Sequence, residues 1–122
     1  MPFKVTNLTR GKLLADRAEE ARSFGSRFMG LMGQKELPFG AGLHIVPCNS
    51  IHTFFMRIPI DALFLDKELK VVKVLPAMVP WRLSSLYFQA HSVLELPSGT
   101  SHASGTVEGD QLSFEPGGAQ PL

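Results

Sequence analysis

Apolar residues in this chain occur in short runs separated by glycine and proline, a pattern that predicts several short β-strands rather than long helices. The longest run is SIHTFFMRIPIDALFLD, residues 50–66. Read as extended chain, its successive side chains point to two faces that are both mostly apolar. The run therefore predicts a central strand covered on both sides. Pro59 cannot donate to a sheet, so it predicts a bulge, a bend or a break inside the run.

Shorter patterns of the same kind predict further strands. These are placed at residues 2–8, 43–46, 70–75, 87–96 and 111–114. Residues 12–24 are compatible with either a helix or a strand. Leucine, arginine and alanine recur at helical spacing through them, but their first half can equally begin a strand. The glycine-punctuated sequence SFGSRFMGLMGQ predicts one short helix near residues 23–33.

Together these elements predict a mainly β fold. We expect a small single domain over residues 1–114, either a jelly-roll-like β-sandwich or a partly open barrel, followed by a flexible C-terminal tail at residues 115–122. Gly99, Gly105 and Gly109 are predicted to be turn residues, since their spacing matches neither nucleotide-binding fingerprint.

Composition narrows the function classes. Of the 122 residues, 44% are hydrophobic and 19% charged, which favours a packed core over disorder. The net charge of +1 gives no electrostatic case for nucleic acid or an anionic membrane. One cysteine excludes an internal disulfide and a four-cysteine zinc site. No run is long enough for a membrane span, and the first residues lack a signal-peptide pattern. A cytoplasmic protein is the default expectation, although a chain with its signal sequence removed would look the same.

Several motifs in a fixed order resemble a known family. They are RFMGLMG (27–33), GLHIVPC (42–48), the 50–66 run, PWR (80–82), VLELPSGT (93–100) and GTVEGD (105–110). Over roughly residues 10–114 the chain resembles the domain of unknown function 192 family. The resemblance implies a small jelly-roll-like β-sandwich with one short helix, and no established activity. Its pattern falls on Arg27, Gly30, Leu31, His52, Thr53, Met56, Asp61, Phe64, Asp66, Glu95, Gly99, Gly105, Gly109 and Asp110.

The chain departs from the family in the turn after Asp66. The family usually has a glycine there, whereas this sequence has Lys67-Glu68-Leu69-Lys70. The departure leaves the type of hairpin open but not the pairing of the two strands.

Histidine and cysteine supply the first candidate chemistry. His44, Cys48 and His52 are spaced four apart, and imidazole with thiolate suits zinc or copper. Pro47 interrupts the spacing, and a fourth ligand would have to come from far along the chain. A structural role for all three is therefore favoured, and no metal or other cofactor is predicted. Cys48 as a nucleophile, with a histidine base oriented by Asp61, has the right residue types but no local signature.

Charged residues inside apolar runs supply the second candidate. The cations are Arg27, Arg57 and Arg82, and the anions are Asp61 and Glu95. An arginine could grip a carboxylate or phosphate of a ligand by two parallel hydrogen bonds. The favoured interpretation is an internal network in which these residues satisfy one another and fix the order of the strands.

The third candidate is the predicted loop at residues 76–85, which carries Trp81 and Arg82 and is held by Pro76 and Pro80. Such a loop either covers a ligand or a partner surface, or folds back so that Trp81 plugs one end of the domain. No complete catalytic constellation can be assembled from these candidates.

We therefore predict a non-enzymatic accessory module, either a monomer or a dimer, that binds a small ligand or a protein partner. The candidate binding residues are His52, Thr53, Arg57, Asp61, Trp81 and Arg82. The alternative is a small hydrolase or metal-dependent enzyme centred on Cys48, His52 and Asp61.

Overall fold

The computed structural model describes residues 2–22, 37–53 and 56–116. These residues form seven strands and one short helix. The elements are β1 (Phe3–Asn7), β2 (Lys12–Ala21), β3 (Gly40–Ile45), β4 (Ile60–Leu65), β5 (Val71–Met78), β6 (Ser92–Pro97), α1 (Thr100–Ser104) and β7 (Leu112–Pro116). The strands form one curled sheet in the order β5-β4-β6-β3-β2-β1-β7, a half-barrel. The mainly β class and the partly open barrel are thereby confirmed.

Neighbouring strands pair antiparallel except for β2 and β3, which are parallel. Parallel neighbours need a crossover connection. Here the connection is the chain between Ala21 and Gly40, and the predicted helix near residues 23–33 lies within its part outside the described residues. The open question about residues 12–24 is answered in favour of a strand, since Lys12–Ala21 is extended and paired on both sides.

The two edge strands of the half-barrel, β5 and β7, are joined at one end only. We call the line along which these two edges face each other the seam. Val71 at the start of β5 donates its N–H to the carbonyl of Asp110 (2.9 Å), and Gly109 donates its N–H to the carbonyl of Val71 (2.8 Å). Leu112 at the start of β7 donates to the carbonyl of Leu69 (3.0 Å). Among the described residues, backbone hydrogen bonds join the two sides of this seam only at residues 69–71 and 109–112. The rest of β5 faces α1 and the residues that follow it.

Both faces of the sheet are buried. Every residue of β4 and β6 is buried, which is why these strands are mostly apolar, with Asp61 and Glu95 as their charged exceptions. The concave face carries one cluster with Leu63, Leu65, Leu94 and Leu96 at its centre. The convex face carries a second cluster that includes Ile60, Ala62, Phe64 and Val93.

A layer without regular strands covers the convex face. It consists of the described residues of 46–59 together with residues 79–91, and we call it the cover layer. Its two parts bond to each other, since Ser84 donates its N–H to the carbonyl of Ile51 and Tyr87 to that of Asn49 (2.9 Å each). The Tyr87 ring packs on Phe64 of the sheet, with ring centroids 4.6 Å apart.

The cover layer corrects two sequence predictions. The strand predicted over residues 50–66 was wrong in its first half, because regular strand begins only at Ile60. His52 forms an isolated bridge with Leu83 instead of a place in the sheet. The predicted break at Pro59 is confirmed. The strand predicted from residue 87 begins at Ser92, because residues 87–91 form a turn.

Helix α1 was not predicted. It has five residues, too few for a periodic pattern, and lies between Gly99 and Gly105, which both adopt a left-handed backbone (φ 99° and 70°). Gly109 is also left-handed (φ 96°), so all three predicted turn glycines adopt turn conformations. Leu69 takes φ 66° in the turn where the related family usually has glycine. Strand β7 extends through Pro116, two residues past its predicted end, and residues 117–122 lie outside the described part.

In the described ranges no helix is long and apolar enough to cross a membrane.

Candidate functional site

Thr53 fixes the loop that carries Trp81 and Arg82. The buried Thr53 hydroxyl donates to the carbonyl of Val79 (2.7 Å) and accepts from the N–H of Arg82 (2.8 Å). The backbone of Thr53 bonds to the same loop, donating to the carbonyl of Arg82 (2.8 Å) and accepting from Trp81 (3.0 Å). Four hydrogen bonds from one residue therefore hold this loop, and Trp81 keeps a left-handed backbone (φ 65°) that is unusual for a large side chain.

Large apolar side chains of this part of the cover layer point to the surface. Trp81 is 56% exposed, so it does not plug the core, and Phe88 is 85% exposed. We call the exposed set the apolar loop segment: Val79, Trp81, Leu83, Leu86 and Phe88. A single exposed leucine is ordinary, but five large exposed apolar residues within ten positions are typical of a docking surface.

The cover layer contains cations and no carboxylates. No aspartate or glutamate occurs between residues 37 and 60 or between residues 69 and 94. Arg57 and Arg82 are both exposed there. The apolar loop segment is thus accompanied by positive charge alone.

Asp61 lies inside the molecule and away from this surface. Its carboxylate is fully buried and accepts four hydrogen bonds: from Ala77 N (2.8 Å), Gly99 N (3.3 Å), Ser101 N (2.8 Å) and Ser101 Oγ (2.7 Å). None of these donors is an arginine. The carboxylate joins β4 to β5 and to the start of α1.

Glu95 is buried in a different environment. Its cross-strand neighbours on the convex face are Leu43 and Ala62, and only 3% of the residue is exposed. Burial raises the pKa of Glu95 to about 8, so its side chain is largely protonated at neutral pH.

His44 lies in β3 with its ring in the concave core. Its Nδ1 is 3.3 Å from Oε1 of Glu20, and its buried Nε2 has no hydrogen-bond partner among the residues that the structure describes. The ring meets Phe114 edge to face, with centroids 4.8 Å apart. Burial outweighs the attraction of Glu20 and lowers the pKa of His44, so the imidazole is neutral at neutral pH.

Cys48 and His52 belong to the cover layer. The Cys48 thiol donates to the carbonyl of Ser50 (2.9 Å), and Cys48 lines a cavity of about 230 Å³ together with His91. Sequence spacing had grouped Cys48 with His44 and His52. Within the described ranges no three histidine, cysteine or acidic residues are arranged to hold a metal ion.

Two further acidic residues stabilise turns. Asp110 accepts from Arg10 Nε and Asn7 Nδ2 (both 3.0 Å) and from Val107 N (3.1 Å). Burial acts to raise the pKa of Asp110, but these hydrogen bonds outweigh it and the pKa is lowered. Asp66 Oδ1 accepts from the N–H groups of residues 68 and 70 (both 2.9 Å).

The remaining residues of the family pattern divide between the convex core and the part of the chain that the structure does not describe. Met56 is buried in the convex core. Arg27, Gly30 and Leu31 lie outside the described residues.

A cavity at the open part of the seam was missed by sequence reasoning. It measures about 620 Å³, and we call it the seam cavity. Its lining comprises Val74, Pro76, Ser101, His102, Gly105, Thr106, Val107 and Glu108. Gly105 was predicted as a turn residue and Val74 as part of a strand, but none of the eight was predicted to line a cavity, because a cavity between a strand edge and a loop leaves no periodic signal. At the rim, Glu108 forms an ion pair with Lys73 of β5 (3.6 Å).

Known proteins resemble this chain over nearly its whole length. The model of a family described as "Uncharacterized ACR", the domain of unknown function 192, matches residues 5–114. A UPF0127 protein of Thermococcus sibiricus is 34% identical over 116 residues, which is 91% of this chain and 74% of that protein. Another from Pyrococcus furiosus is 33% identical over 115 residues, covering 90% and 97%.

A solved structure shares the fold. The crystal structure of a protein of unknown function from Novosphingobium aromaticivorans has a TM-score of 0.79 at 25% identity, and the match covers 93% of this chain and 84% of that one. None of these three proteins carries a name that states an activity.

Proposed function

We propose that this chain, which belongs to the domain of unknown function 192 family, is a protein-binding module. Its docking surface is the apolar loop segment, and its partner presents apolar side chains next to a carboxylate. The observation that carries the proposal is the outward position of Trp81, Leu83 and Phe88 on a loop that Thr53 holds in place.

The rigidity of the loop supports binding. A loop already ordered by hydrogen bonds to a buried threonine loses little conformational entropy when a partner arrives. Tryptophan and arginine are also the residues most enriched where binding energy concentrates.

The positive charge of the cover layer supports a partner with an acidic residue. Arg57 and Arg82 are exposed in a layer without carboxylates. An acidic residue beside the apolar contact would complement them and would favour this orientation of the partner. A strongly basic partner would be disfavoured for the same reason.

The internal role of Asp61 supports a binding function over the enzymatic alternative. A Cys48–His52–Asp61 arrangement needs the carboxylate to orient the imidazole, but the four hydrogen bonds that Asp61 accepts from the described residues come from Ala77, Gly99 and Ser101.

The proposal is tested by selecting binders from a random twelve-residue peptide library displayed on phage. We expect selected peptides to combine leucine or phenylalanine with aspartate or glutamate. Leu83→Ser and Arg82→Glu should each weaken their binding by roughly tenfold or more, as measured by isothermal titration calorimetry. Thr53→Val should weaken binding less, because it removes a support of the loop and no contact surface.

Leu13→Ser is the matched control, since Leu13 is 54% exposed on β2 and Leu83 is exposed on the loop. It should leave binding unchanged. Peptides without acidic residues, or binding that survives both loop variants, would contradict the proposal. So would tight binding to anionic phosphatidylglycerol vesicles in place of peptides, or a dimer that Leu83→Ser dissociates, because the docking surface would then serve a membrane or a second copy.

A further inference from the structure

The seam cavity lies where an eighth strand would close the barrel. Backbone pairing across the seam stops at Val71, and the cavity begins further along β5, between Val74 and Pro76 on one side and residues 101–108 on the other. Its volume of about 620 Å³ falls within the range of roughly 300–1,000 Å³ in which proteins bind small molecules.

The walls of the seam cavity offer little to a polar ligand. Val74, Pro76 and Val107 are apolar. The two hydroxyl groups in the lining are already engaged inside the protein: Ser101 Oγ donates to Asp61 Oδ2 (2.7 Å), and Thr106 Oγ1 accepts from Asn7 Nδ2 (2.9 Å). His102 contributes an imidazole to the lining. Apart from this ring, a ligand deep in the cavity meets mainly hydrocarbon, which favours an aliphatic group.

The rim of the cavity provides one charge that a ligand can use. Glu108 is the only carboxylate among the eight lining residues, and none of them is a lysine or an arginine. Its ion pair with Lys73 is 3.6 Å long and joins side chains that are 54% and 40% exposed. Ion pairs this exposed are weak, so a cation that also buries apolar surface can replace the lysine ammonium.

We propose that the seam cavity binds small molecules with an aliphatic body and a protonated amine. The body packs against Val74 and Pro76, and the ammonium group takes the place of the Lys73 ammonium beside Glu108. The site shares no residue with the apolar loop segment and does not depend on the proposed protein partner.

The test uses hexylammonium chloride as the probe and the full chain as the receptor, with affinity and location read from amide chemical shifts in an NMR titration. We expect the shifts to cluster around residues 74–76 and 101–108, and hexanoate to bind at least roughly fivefold more weakly. Glu108→Gln should weaken hexylammonium binding by roughly fivefold, whereas Lys73→Ala should strengthen it because the competing cation is gone.

Glu115→Gln is the matched control. Glu115 forms a similar surface ion pair with Lys4 (3.8 Å, side chains 56% and 40% exposed) but lies on β7, outside the cavity lining. It should not change the affinity. Filling the cavity with Val74→Phe should abolish binding, and Val107→Phe repeats that test if the first variant does not fold.

Three results would overturn the proposal. They are equal binding of hexylammonium and hexanoate, weaker binding in Lys73→Ala, and full binding in a folded cavity-filled variant. The first two would show that the Glu108 carboxylate does not select the ligand, and the third that the ligand does not occupy the seam cavity.

Discussion

At the residue scale, the two carboxylic acid side chains buried in the sheet, Asp61 and Glu95, have different environments. Asp61 receives four hydrogen bonds, three of them from backbone N–H groups. Glu95 lies among Leu43 and Ala62, and burial alone accounts for its raised pKa. Buried acids can thus be kept either by satisfying the charge or by suppressing it.

The raised pKa of Glu95 makes stability depend on pH. Between the ordinary value of 4.5 and about 8, the unfolded chain has lost the Glu95 proton while the folded protein keeps it. The free energy of unfolding contributed by this residue therefore falls as pH rises through that interval, by up to about 1.4 kcal/mol per pH unit, and is constant above it. We expect Glu95→Gln to remove this slope in urea denaturation measured from pH 5 to pH 9.

His44 changes the free energy of unfolding with pH in the opposite direction to Glu95. Comparing wild type with Glu95→Gln separates the two contributions. Since its pKa is lowered from 6.5 by burial, its contribution to stability is lost as pH falls below that value. The slope should therefore be read as the difference between wild type and Glu95→Gln at each pH. A difference that does not change with pH would contradict a protonated Glu95.

At the element scale, Asp61 reinforces the pairing of β4 with β5 at a bulge and connects β4 to α1, which no ladder joins to the sheet. Its carboxylate holds the bulge of β5 at Ala77, where the backbone is left-handed (φ 50°), and the start of α1 at Gly99 and Ser101. The short helix has no packing face of its own large enough to fix it, so the carboxylate places it.

Removal of this carboxylate should destabilise the protein strongly. Asp61→Ala leaves three backbone N–H groups and one hydroxyl without their acceptor, so we expect a loss of at least about 3 kcal/mol in urea denaturation. Ser101→Ala removes one side-chain donor and leaves the rest, so about 1–2 kcal/mol is expected. Equal losses for the two variants would show that the carboxylate does not act as the common acceptor.

At the scale of the whole molecule, a few bonds across the seam close the half-barrel. Gly109 donates to Val71 and adopts φ 96°, a backbone conformation that other residues rarely take. The seam therefore depends on a glycine in a turn and not on a ladder of strands. The same partial closure leaves room for the seam cavity.

Gly109→Ala tests this closure. We expect a loss of about 1–2 kcal/mol from the forced left-handed backbone, together with faster hydrogen exchange of the Val71 amide. Gly11→Ala is the control, because Gly11 is also left-handed (φ 66°) and a Cβ there, as at Gly109, meets no atom within 4 Å. It should cost similar stability without affecting Val71. Faster exchange in both variants would point to general unfolding instead.

The local pattern of hydrophobic residues predicts much of the architecture but less of the candidate site. The mostly apolar sequences at 60–65 and 92–97 predict strands buried on both faces, because apolar residues fall on both sides of the extended chain. The first part of the longest apolar run, residues 50–59, is also mostly apolar, but its described residues cover the sheet from outside. Both positions bury apolar side chains, so composition cannot distinguish them.

What the sequence determined by itself is the class of fold, the family, the turn glycines and the break at Pro59, because each depends on a residue's own backbone preference or on near neighbours. Only the tertiary structure decided that Trp81 faces outward, that Asp61 is satisfied by Ala77, Gly99 and Ser101, and that Val74 and Glu108 line one cavity. These contacts join residues up to 40 positions apart. Whether two such segments meet depends on how the whole sheet curls and not on any stretch of chain alone.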